Sequence, residues 1–313
     1  MSTNQQRREA AKRKLERQLK ARAARARRNR IIAAVATGVA VVAVIALVLI
    51  FVNQARQEAE AEAARQAKAA AEQKASEKER LDKAKAEIDD MVRKLKIPGK
   101  RTEPVPHPKP LPNPSTCKYP ESAQEAAKDV DPPEQTTVPA SGTVDVTIDT
   151  TAGEIGLTLD RSMAPCTVNS IVSLIEQGYY DGSSCHRLGI QGLQMLQCGD
   201  PTGTGRGGPG YTVPDEFHSK LKYGRGLVAM ANTGAPNSGG GQFFLIYGSA
   251  TMSDGSMLPR QYTVFGTISD TGLKTLEKVA RKGLDPKSYL EYADGTAKPV
   301  LEVKFTKVSV KDD

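Results

Sequence analysis

The sequence has no tryptophan, three histidines and four cysteines among its 313 residues. His107, His186 and His218 have no cysteine or carboxylate partners at the spacing typical of metal ligands. The glycine-rich stretch 203–210 lacks the Lys-Ser/Thr pair of a phosphate-binding loop, and no Ser-His-Asp set stands out. We therefore expect no metal and no cofactor, and neither nucleotide-dependent nor serine-hydrolase chemistry.

Excess positive charge is absent outside the first 30 residues, although the net charge of the chain is +8. Residues 1–30 hold twelve Lys or Arg and two Glu, a net +10, and residues 31–140 hold sixteen basic and sixteen acidic residues. Residues 141–313 hold sixteen basic and eighteen acidic residues, a net −2. The C-terminal part therefore lacks the basic surface on which nucleic-acid binding depends, and we predict no nucleic-acid partner.

An apolar run of Ile, Val, Ala and Leu occupies residues 31–52. As a helix it would span about 33 Å, enough for the ~30 Å hydrocarbon core of a bilayer. Its exit, Phe51 to Arg56, is a poor signal-peptidase site. We predict a single-pass anchor in the cell membrane, with the basic tail 1–30 in the cytoplasm and everything after residue 52 outside. This anchor disfavours the alternative of a nucleic-acid-binding tail.

Residues 53–97 are rich in Ala, Glu, Lys, Gln and Arg, and the stretch from Gln54 to Lys96 contains no Gly or Pro. These residues favour helix, so we predict a charged helical stalk. Leu81, Ile88 and Leu95 recur at heptad spacing, which makes a short coiled coil the alternative to a solvated single helix. The single helix is favoured, because large apolar residues occupy fewer than three heptads.

Seven prolines fall between Pro98 and Pro114. We predict a Pro-rich linker over residues 98–116 that serves as a semi-rigid polyproline spacer. A ligand for a proline-recognising module, or a substrate of the protein itself, is the alternative. A polar extension follows over residues 117–141, with a short helix expected near Ser122–Lys128.

The folded domain is expected over residues 142–313, where apolar residues alternate with polar ones as in strands. A Pro near its start and a Gly after its end indicate a helix over residues 164–177. Strands are expected at 144–148, 155–159, 226–231, 242–247, 262–268 and 300–310, and a second helix at 271–281. Many strands and two helices favour a mainly-β fold, an antiparallel barrel capped at its ends.

The stretch from Cys185 to Asp200 predicts a hairpin with its turn at 189–192. One strand carries Arg187 and the other carries Met195 and Gln197, which point the same way because side chains alternate along a strand. The hairpin therefore presents a cation, a flexible apolar side chain and an amide on one surface, without an obvious hydrolytic or redox group.

The hairpin resembles the signature of the cyclophilins, which typically contains Phe-His-Arg, a short turn and Phe-Met-x-Gln-Gly-Gly-Asp; the matches are His186-Arg187, Met195, Gln197 and Gly199-Asp200. A second block, residues 230–244, is similar to the family's Met-Ala-Asn-x-Gly-Pro-Asn-x-x-x-Ser-Gln-Phe-Phe. The resemblance covers about residues 142–310. It implies an eight-stranded antiparallel β-barrel capped by two helices, in a membrane-anchored bacterial form. The implied activity is peptidyl-prolyl cis-trans isomerisation of proline-containing polypeptides outside the cytoplasm.

The resemblance also implies roles for individual residues. Arg187 donates a hydrogen bond to the prolyl nitrogen in the twisted transition state, Gln197 orients Arg187, and Asn232 holds the peptide backbone. These three residues form the expected catalytic set. The expected substrate-binding set is Met195, Ala231, Gln242, Phe244, Met257, Leu258 and Tyr262.

Three departures from the cyclophilin pattern affect the expected proline pocket. The hairpin is two residues longer than usual, so that Gln194, or Leu193 if the register shifts, takes the place of a pocket Phe. Met257, or Met252 in a second alignment, replaces the family's ligand-binding Trp, and Tyr262 replaces the usual pocket His. We expect the arginine mechanism to survive these changes and cyclosporin-type ligands to bind weakly.

The four cysteines lie outside the membrane in the predicted topology, where disulfides persist. Cys185 and Cys198 flank the hairpin symmetrically about its turn, and we hypothesise that they pair and close it. Cys117 and Cys166 would then join the extension to the first helix of the domain. Four cysteines allow three pairings, and buried free thiols are the alternative.

Two other functions stay open. A non-catalytic, membrane-tethered module that binds proline peptides is compatible with the altered pocket at Gln194, Met257 and Tyr262. A coiled-coil scaffold, in which the barrel has no function of its own, would require oligomers formed through residues 81–95. The joint presence of an arginine, a glutamine and an asparagine at the matching positions of the two motifs favours the enzyme.

Overall fold

The computed structural model describes residues 4–252 and 254–311, in two compact units, Met1–Glu77 and Lys78–Asp313. The first three residues of the predicted tail, and residues 253, 312 and 313 of the predicted domain, lie outside the described residues.

A single helix, α1 (Asn4–Lys94), spans the first unit and begins the second. Within the first unit, every residue that the structure describes is exposed. The predicted apolar run lies inside α1, and its most apolar 18-residue window has a mean hydropathy of 3.0. By length and composition, α1 is able to cross a membrane.

The second unit is built around a nine-stranded antiparallel sheet with the spatial order β10-β5-β6-β8-β7-β9-β4-β3-β11. A separate two-stranded sheet pairs β1 with β2. The strands are β1 (Ser115–Thr116), β2 (Thr137–Val138), β3 (Thr143–Thr150), β4 (Ile155–Asp160), β5 (Arg187–Gly189), β6 (Leu193–Cys198), β7 (Leu227–Met230), β8 (Phe243–Ala250), β9 (Val264–Ile268), β10 (Thr296–Ala297) and β11 (Phe305–Val310).

The mainly-β antiparallel prediction is confirmed, with one strand more than the eight implied by the resemblance. The extra strand is short: β10 pairs only two residues with β5. The two ends of the sheet also approach each other. The Cys185 N–H donates to the Val303 carbonyl at 2.9 Å, and the Phe305 N–H donates to the Ser183 carbonyl at 2.8 Å. These bonds join the segments that precede β5 and β11, as closure of a barrel requires.

Both predicted helices are present, as α2 (Pro165–Glu176) and α3 (Asp270–Ala280). Proline stands at the start of α2, and the Ser269 hydroxyl caps α3 by accepting from the Gly272 N–H. A third helix, α4 (Pro286–Tyr292), is not among the sequence predictions, although Asp285 caps it and a proline begins it. Its seven residues are too few to show a helical repeat in the sequence.

The core follows from the strand alternation. In β3 the apolar positions Val144, Val146 and Ile148 are buried, while the intervening polar residues are exposed or half-buried. The ring of Phe243 on β8 lies 6.4 Å from that of Phe265 and 6.5 Å from that of Phe305, centroid to centroid. These contacts join three strands that are distant in the chain, and fully burying such side chains stabilises a fold by about 1.5–3 kcal/mol each.

The last turns of α1 pack on the folded domain. Ala84, Ile88 and Met91 are buried, and a Cβ atom added to Gly283 would lie 3.3 Å from the Ile88 side chain. Spacings of four and three residues place these side chains on one helix face, and that face finds an apolar surface within the same chain. The prediction of a solvated helix is therefore wrong for these turns. A coiled coil stays a prediction, and one formed through Ile88 would compete with this packing.

The Pro-rich linker lies against the domain, so its prediction as a spacer is also wrong. The Thr102 N–H donates to the Arg225 carbonyl at 2.8 Å, and a ring nitrogen of His107 lies 2.8 Å from the Met163 carbonyl. The His107 and His218 rings are 4.7 Å apart. Proline richness predicts an extended backbone, but it does not indicate whether that backbone is solvated or bound.

The extension contains no helix near Ser122–Lys128. Its backbone instead bonds to a neighbouring loop, with the Ser122 N–H donating to the Gly210 carbonyl at 2.8 Å and the Ala127 N–H to the Gly208 carbonyl at 2.8 Å. Helix propensity is a weak preference, and tertiary hydrogen bonds override it here.

Candidate active site

The predicted hairpin is formed by β5 and β6, with Arg187 directly opposite Gln197. Its turn ends at Gly192, whose φ of 61° favours glycine. On its other edge β6 pairs with β8, where Gln197 is opposite Phe244. Residues directly opposite each other point to the same face with Cβ atoms about 4.5–5.5 Å apart. Arg187, Gln197 and Phe244 therefore lie side by side on one surface.

Both hypothesised cysteine pairs are joined in the structure. The Sγ atoms of Cys185 and Cys198 are 2.02 Å apart, and those of Cys117 and Cys166 are 2.06 Å apart. The first pair ties the strands of the hairpin together at the end away from its turn. The second pair ties the extension to α2. All four cysteines of the chain are used, which leaves no free thiol.

The Arg187 guanidinium is held on three sides. Its Nη1 donates to Gln197 Oε1 at 3.2 Å, its Nε to Thr296 Oγ1 at 2.9 Å, and its Nη2 to Asp294 Oδ2 at 2.8 Å. The Arg187 side chain is 34% exposed, so it can still meet a ligand. We call Arg187, Gln197, Gln242, Asp294 and Thr296 the arginine cluster.

Asp294 stays ionised beside Arg187. Partial burial opposes its charge, but hydrogen bonds from the Thr296 hydroxyl and N–H, together with the Arg187 charge, hold the pKa of this carboxyl below its usual value. Thr296 lies on β10 and Asp294 just before it, so pairing of β10 with β5 brings both residues to the arginine. Sequence reasoning misses both residues, because they follow Arg187 by more than 100 positions and belong to neither motif.

Two glutamines extend the arginine cluster towards the glycine-rich loop. Gln197 Nε2 donates to Gln242 Oε1 at 3.0 Å, and Gln242 Nε2 donates to the Gly207 carbonyl at 2.9 Å. Because a carbonyl can only accept, this chain fixes which way each amide faces and turns the Gln197 oxygen towards Arg187. The role of Gln197 in orienting the arginine during catalysis stays a prediction.

We use the name apolar pocket for the four residues expected to receive the proline ring, Met195, Phe244, Leu258 and Tyr262; Phe244 lies opposite Gln197 of the arginine cluster. The first three residues are buried and Tyr262 is half-buried. The Phe244 and Tyr262 rings meet edge to face with centroids 5.4 Å apart. Tyr223 fixes the Tyr262 backbone, because its hydroxyl accepts from the Tyr262 N–H at 2.9 Å and donates to the Tyr262 carbonyl at 2.8 Å.

Two residues expected near the pocket differ from its buried members. Met257 is 60% exposed on the loop before β9, and its contact with substrate stays a prediction. Gln194 is buried but directed away: its Nε2 donates to the Lys96 carbonyl at 2.9 Å and its Oε1 accepts from the Ser249 N–H at 2.8 Å. A register shift between β6 and β8 at this point explains why pattern matching misplaces Gln194. Weak binding of cyclosporin-type ligands stays a prediction.

Ala231 and Asn232 follow β7 at the rim of the site. The Ala231 N–H donates to the Gln242 carbonyl at 2.9 Å. The Asn232 side chain is occupied within its own surroundings, since Nδ2 donates to the Gln261 carbonyl at 2.7 Å and Oδ1 accepts from the Gly234 N–H at 3.1 Å. The Asn232 amide thus has partners at both polar atoms, and its role in holding the peptide backbone stays a prediction.

A polar cleft of about 670 Å³ adjoins the arginine cluster. Its lining includes Gln197, Ala231, Asn232 and Gln242, together with the glycine-rich loop 205–212. Ser122 and Gln124 of the extension complete its wall, which the sequence does not predict. Within residues 4–252 and 254–311, no group of three or more His, Cys, Asp or Glu residues is placed to hold a metal ion.

His186 lies next to Arg187 in the chain but is buried, and its ring nitrogens have no partner among the described residues. Burial lowers the pKa of this imidazole to about 4, so it is neutral near pH 7. It matches the family motif but does not join the arginine cluster.

The family model for "Cyclophilin type peptidyl-prolyl cis-trans isomerase/CLD" matches residues 143–310. The "Probable peptidyl-prolyl cis-trans isomerase B" of Mycobacterium leprae is 47% identical over 182 residues, 54% of this chain and 59% of that protein. The Mycobacterium tuberculosis protein with the same description is 43% identical over 208 residues, 62% of this chain and 63% of that protein. The chain therefore spans about three fifths of the length of these mycobacterial relatives.

The human "Peptidyl-prolyl cis-trans isomerase-like 3" is 40% identical over 148 residues, 46% of this chain and 86% of that protein. A crystal structure of a cyclophilin-type isomerase from Cryptosporidium parvum has a TM-score of 0.44 at 29% identity, and the match covers 55% of this chain and 99% of that one. Because the family model accounts for more than half of the sequence, including every strand of the large sheet, this chain belongs to the cyclophilin-type peptidyl-prolyl cis-trans isomerases.

Proposed function

We propose that this protein accelerates the cis-trans rotation of X-Pro peptide bonds in polypeptides outside the cytoplasm. The observation that carries the proposal is a guanidinium fixed by three hydrogen bonds on the same sheet face as the ring of Phe244. The relatives described as peptidyl-prolyl isomerases support it. Rotation about this bond needs no covalent intermediate and no cofactor.

The chemistry follows from the electronic structure of the amide. The rotation barrier is about 18–20 kcal/mol, because twisting removes the C–N resonance. In the twisted state the prolyl nitrogen regains a lone pair that can accept a hydrogen bond. A donor placed at that nitrogen stabilises the transition state more than the planar ground state, and this difference accelerates rotation.

Arg187 has N–H groups to spare for that task. A guanidinium carries five N–H donors. Three are used, one each by Gln197, Thr296 and Asp294, which leaves one on Nη1 and one on Nη2. The bonded donors fix the orientation of the group before the substrate arrives, so little reorganisation accompanies rotation.

The apolar pocket suits a pyrrolidine ring. Met195, Phe244 and Leu258 are apolar and buried, and the Tyr262 ring meets that of Phe244 edge to face. A proline ring bound against Phe244 would hold the rotating C–N bond close to Arg187, which lies two strands away from Phe244. Binding alone would make the protein a proline-peptide module; the fixed arginine favours catalysis.

The decisive assay uses full-length protein in detergent and a peptide with one Ala-Pro bond. We expect acceleration of cis-trans exchange above the uncatalysed rate, and a loss of about 10²–10³-fold in kcat/KM in Arg187→Ala, the range for removing one transition-state donor. Arg281→Ala, which changes an exposed arginine at the end of α3, is the control and should retain the wild-type rate. Peptide binding without acceleration in the folded wild type would establish the non-catalytic module instead.

We also propose that residues 31–52 of α1 cross the cell membrane, with the tail 1–30 in the cytoplasm and the isomerase domain outside. The length and apolarity of the helix and the basic charge before it support this topology. So does the use of every cysteine in a disulfide, because disulfides persist in oxidising compartments. Protease added to intact spheroplasts should release the isomerase domain and spare a reporter fused to the N-terminus; the reverse pattern would overturn the topology.

A further inference from the structure

The polar cleft has a wall that lies outside the region matched to the family. The family model begins at residue 143, whereas Ser122 and Gln124 line the same cleft as Gln197 and Gln242. The extension therefore changes the shape of a cavity that adjoins the arginine cluster.

Hydrogen bonds attach this wall to the glycine-rich loop. Besides the two bonds made by Ser122 and Ala127, the Thr212 N–H donates to the Pro120 carbonyl at 2.9 Å, and Glu121 forms an antiparallel bridge with Tyr211. The Gln124 side chain donates to the Arg206 carbonyl. The wall and the loop thus form one paired structure.

Small side chains allow the wall to approach the loop closely. A Cβ atom on Gly210 would lie 3.0 Å from the Ala126 Cβ, and one on Gly207 would lie 3.0 Å from the Ala127 Cβ. The Gly207 carbonyl is also the acceptor for Gln242, the last member of the glutamine chain from Arg187. The wall therefore supports the loop at the point where the loop supports the arginine cluster.

The extension is fixed on both sides of the wall. Before it, Cys117 is bonded to Cys166, and the Tyr119 hydroxyl donates to the Cys166 carbonyl at 3.0 Å. After it, Lys128 Nζ donates to the Gly178 carbonyl at 2.6 Å and to the Asp181 carbonyl at 3.2 Å. These anchors hold Ser122 and Gln124 in place before a ligand binds.

We propose that Ser122 and Gln124 form a specificity wall that contacts a residue flanking the proline of the bound polypeptide. The inference rests on the proposed isomerase function and deepens it. A proline held in the apolar pocket leaves its neighbours in the chain to pass Arg187 and Gln197, next to the cleft. Hydroxyl and amide groups line the cleft there, so it selects polar side chains that both donate and accept hydrogen bonds over large apolar ones.

The absence of tryptophan gives a direct test. Gln124→Trp places a single indole in the cleft of the full-length protein, and Glu134→Trp places one on an exposed site of the same extension, away from the cleft. The probes are a hexapeptide with a central Ala-Pro and glutamine on both flanks, its leucine-flanked counterpart, and the Ala-Pro dipeptide. We expect the glutamine hexapeptide to change the emission of Trp at 124 and not at 134, and the dipeptide to change neither.

Kinetics supply a second, independent readout. The ratio of kcat/KM for the glutamine-flanked over the leucine-flanked hexapeptide should fall at least fivefold in Gln124→Ala, and stay at the wild-type value in Glu134→Trp. If the kcat/KM ratio is unchanged in Gln124→Ala and the emission of Trp at 124 does not respond to the hexapeptide, the specificity wall is wrong. The proposed isomerase function would be unaffected by that result. If the wild type shows no isomerisation at all, the proposed function fails, and the emission of Trp at 124 still decides whether the wall contacts bound peptide.

Discussion

The arginine cluster and the apolar pocket are the two halves of the proposed site, but they are held in place by different forces. Hydrogen bonds between partly exposed groups fix Arg187, and the groups that hold it come from β6 and from residues 294–296. The apolar pocket is fixed by packing, with Met195, Phe244 and Leu258 each buried. The cluster depends on a few directional bonds, whereas the pocket shares the core of the barrel.

This difference predicts how each half responds to change. Removing a pocket side chain leaves a cavity, which lowers the free energy of unfolding and weakens substrate binding. Removing a partner of Arg187 leaves the core intact but loosens the donor, so kcat should fall while KM and stability change little. The following predictions test that separation, from the largest expected effect to the smallest.

Phe244→Ala should lower the free energy of unfolding by about 3–5 kcal/mol and raise KM for a proline peptide, because a buried ring is lost. Denaturant unfolding and steady-state kinetics on the same preparation give both quantities. Phe244→Leu serves as the control and should recover most of the stability. A variant that lost kcat alone, with normal stability and KM, would contradict the division between the two halves.

His186 belongs neither to the arginine cluster nor to the apolar pocket, and its burial makes the free energy of unfolding depend on pH. Its pKa falls from 6.5 in the unfolded chain to about 4 in the folded one, so its contribution to stability is complete above pH 6.5 and is lost as pH falls towards 4. We expect a loss of about 3 kcal/mol over this range.

His186→Phe should flatten that part of the stability-pH curve, whereas His218→Gln, on the loop that contacts the Pro-rich linker, should leave the His186 contribution in place. Unfolding free energies at pH 7, 5.5 and 4.5 suffice for the comparison. An unaltered slope in His186→Phe would show that another group titrates.

Asp294→Asn should lower kcat about tenfold with little change in KM, since Arg187 loses its charged partner and keeps its other two bonds. Asp254→Asn is a matched control. The Asp254 carboxylate accepts from the Ser256 N–H and hydroxyl, much as the Asp294 carboxylate accepts from those of Thr296. Among the described ion pairs, however, Asp254 has no arginine partner, whereas Asp294 has Arg187. Equal effects of the two substitutions would point to turn stability rather than to the ion pair.

Gln242→Leu should lower kcat by about threefold to fivefold, the smallest effect of the set, because it loosens Gln197 without touching Arg187 directly. Gln191→Leu, at the exposed turn of the hairpin, is the control. If the two amides act in series, the double variant Gln197→Ala, Gln242→Leu should have the same kcat as Gln197→Ala alone. Additive losses of kcat would show that the two glutamines act independently.

The predictions that hold from the sequence depend on short-range pattern. Alternation along β3 and β4, the helix signals of α2 and α3, and the symmetry of Cys185 and Cys198 about a turn are all local, and the structure shows each of them. The resemblance supplies Arg187, Gln197 and Phe244, which the strand register then places side by side.

The predictions that fail concern what a segment packs against. The end of α1 and the Pro-rich linker both have the composition of solvated segments, yet both bind the domain through a few side chains or backbone groups. Gln194, expected in the place of a pocket Phe, instead bonds to the Lys96 carbonyl and the Ser249 N–H, beside a register shift between β6 and β8.

By itself, the sequence determined the family, the mainly-β fold, the apolar helix and the identity of the central arginine, because periodicity, composition and motif spacing are written along the chain. Only the tertiary structure decided how that arginine is held and what surrounds it. Asp294 and Thr296 reach Arg187 through β10, and Ser122 and Gln124 reach the cleft through pairing with a distant loop. Each of these contacts joins segments far apart in the chain, and hydrogen bonds between such segments leave no periodic trace in the sequence.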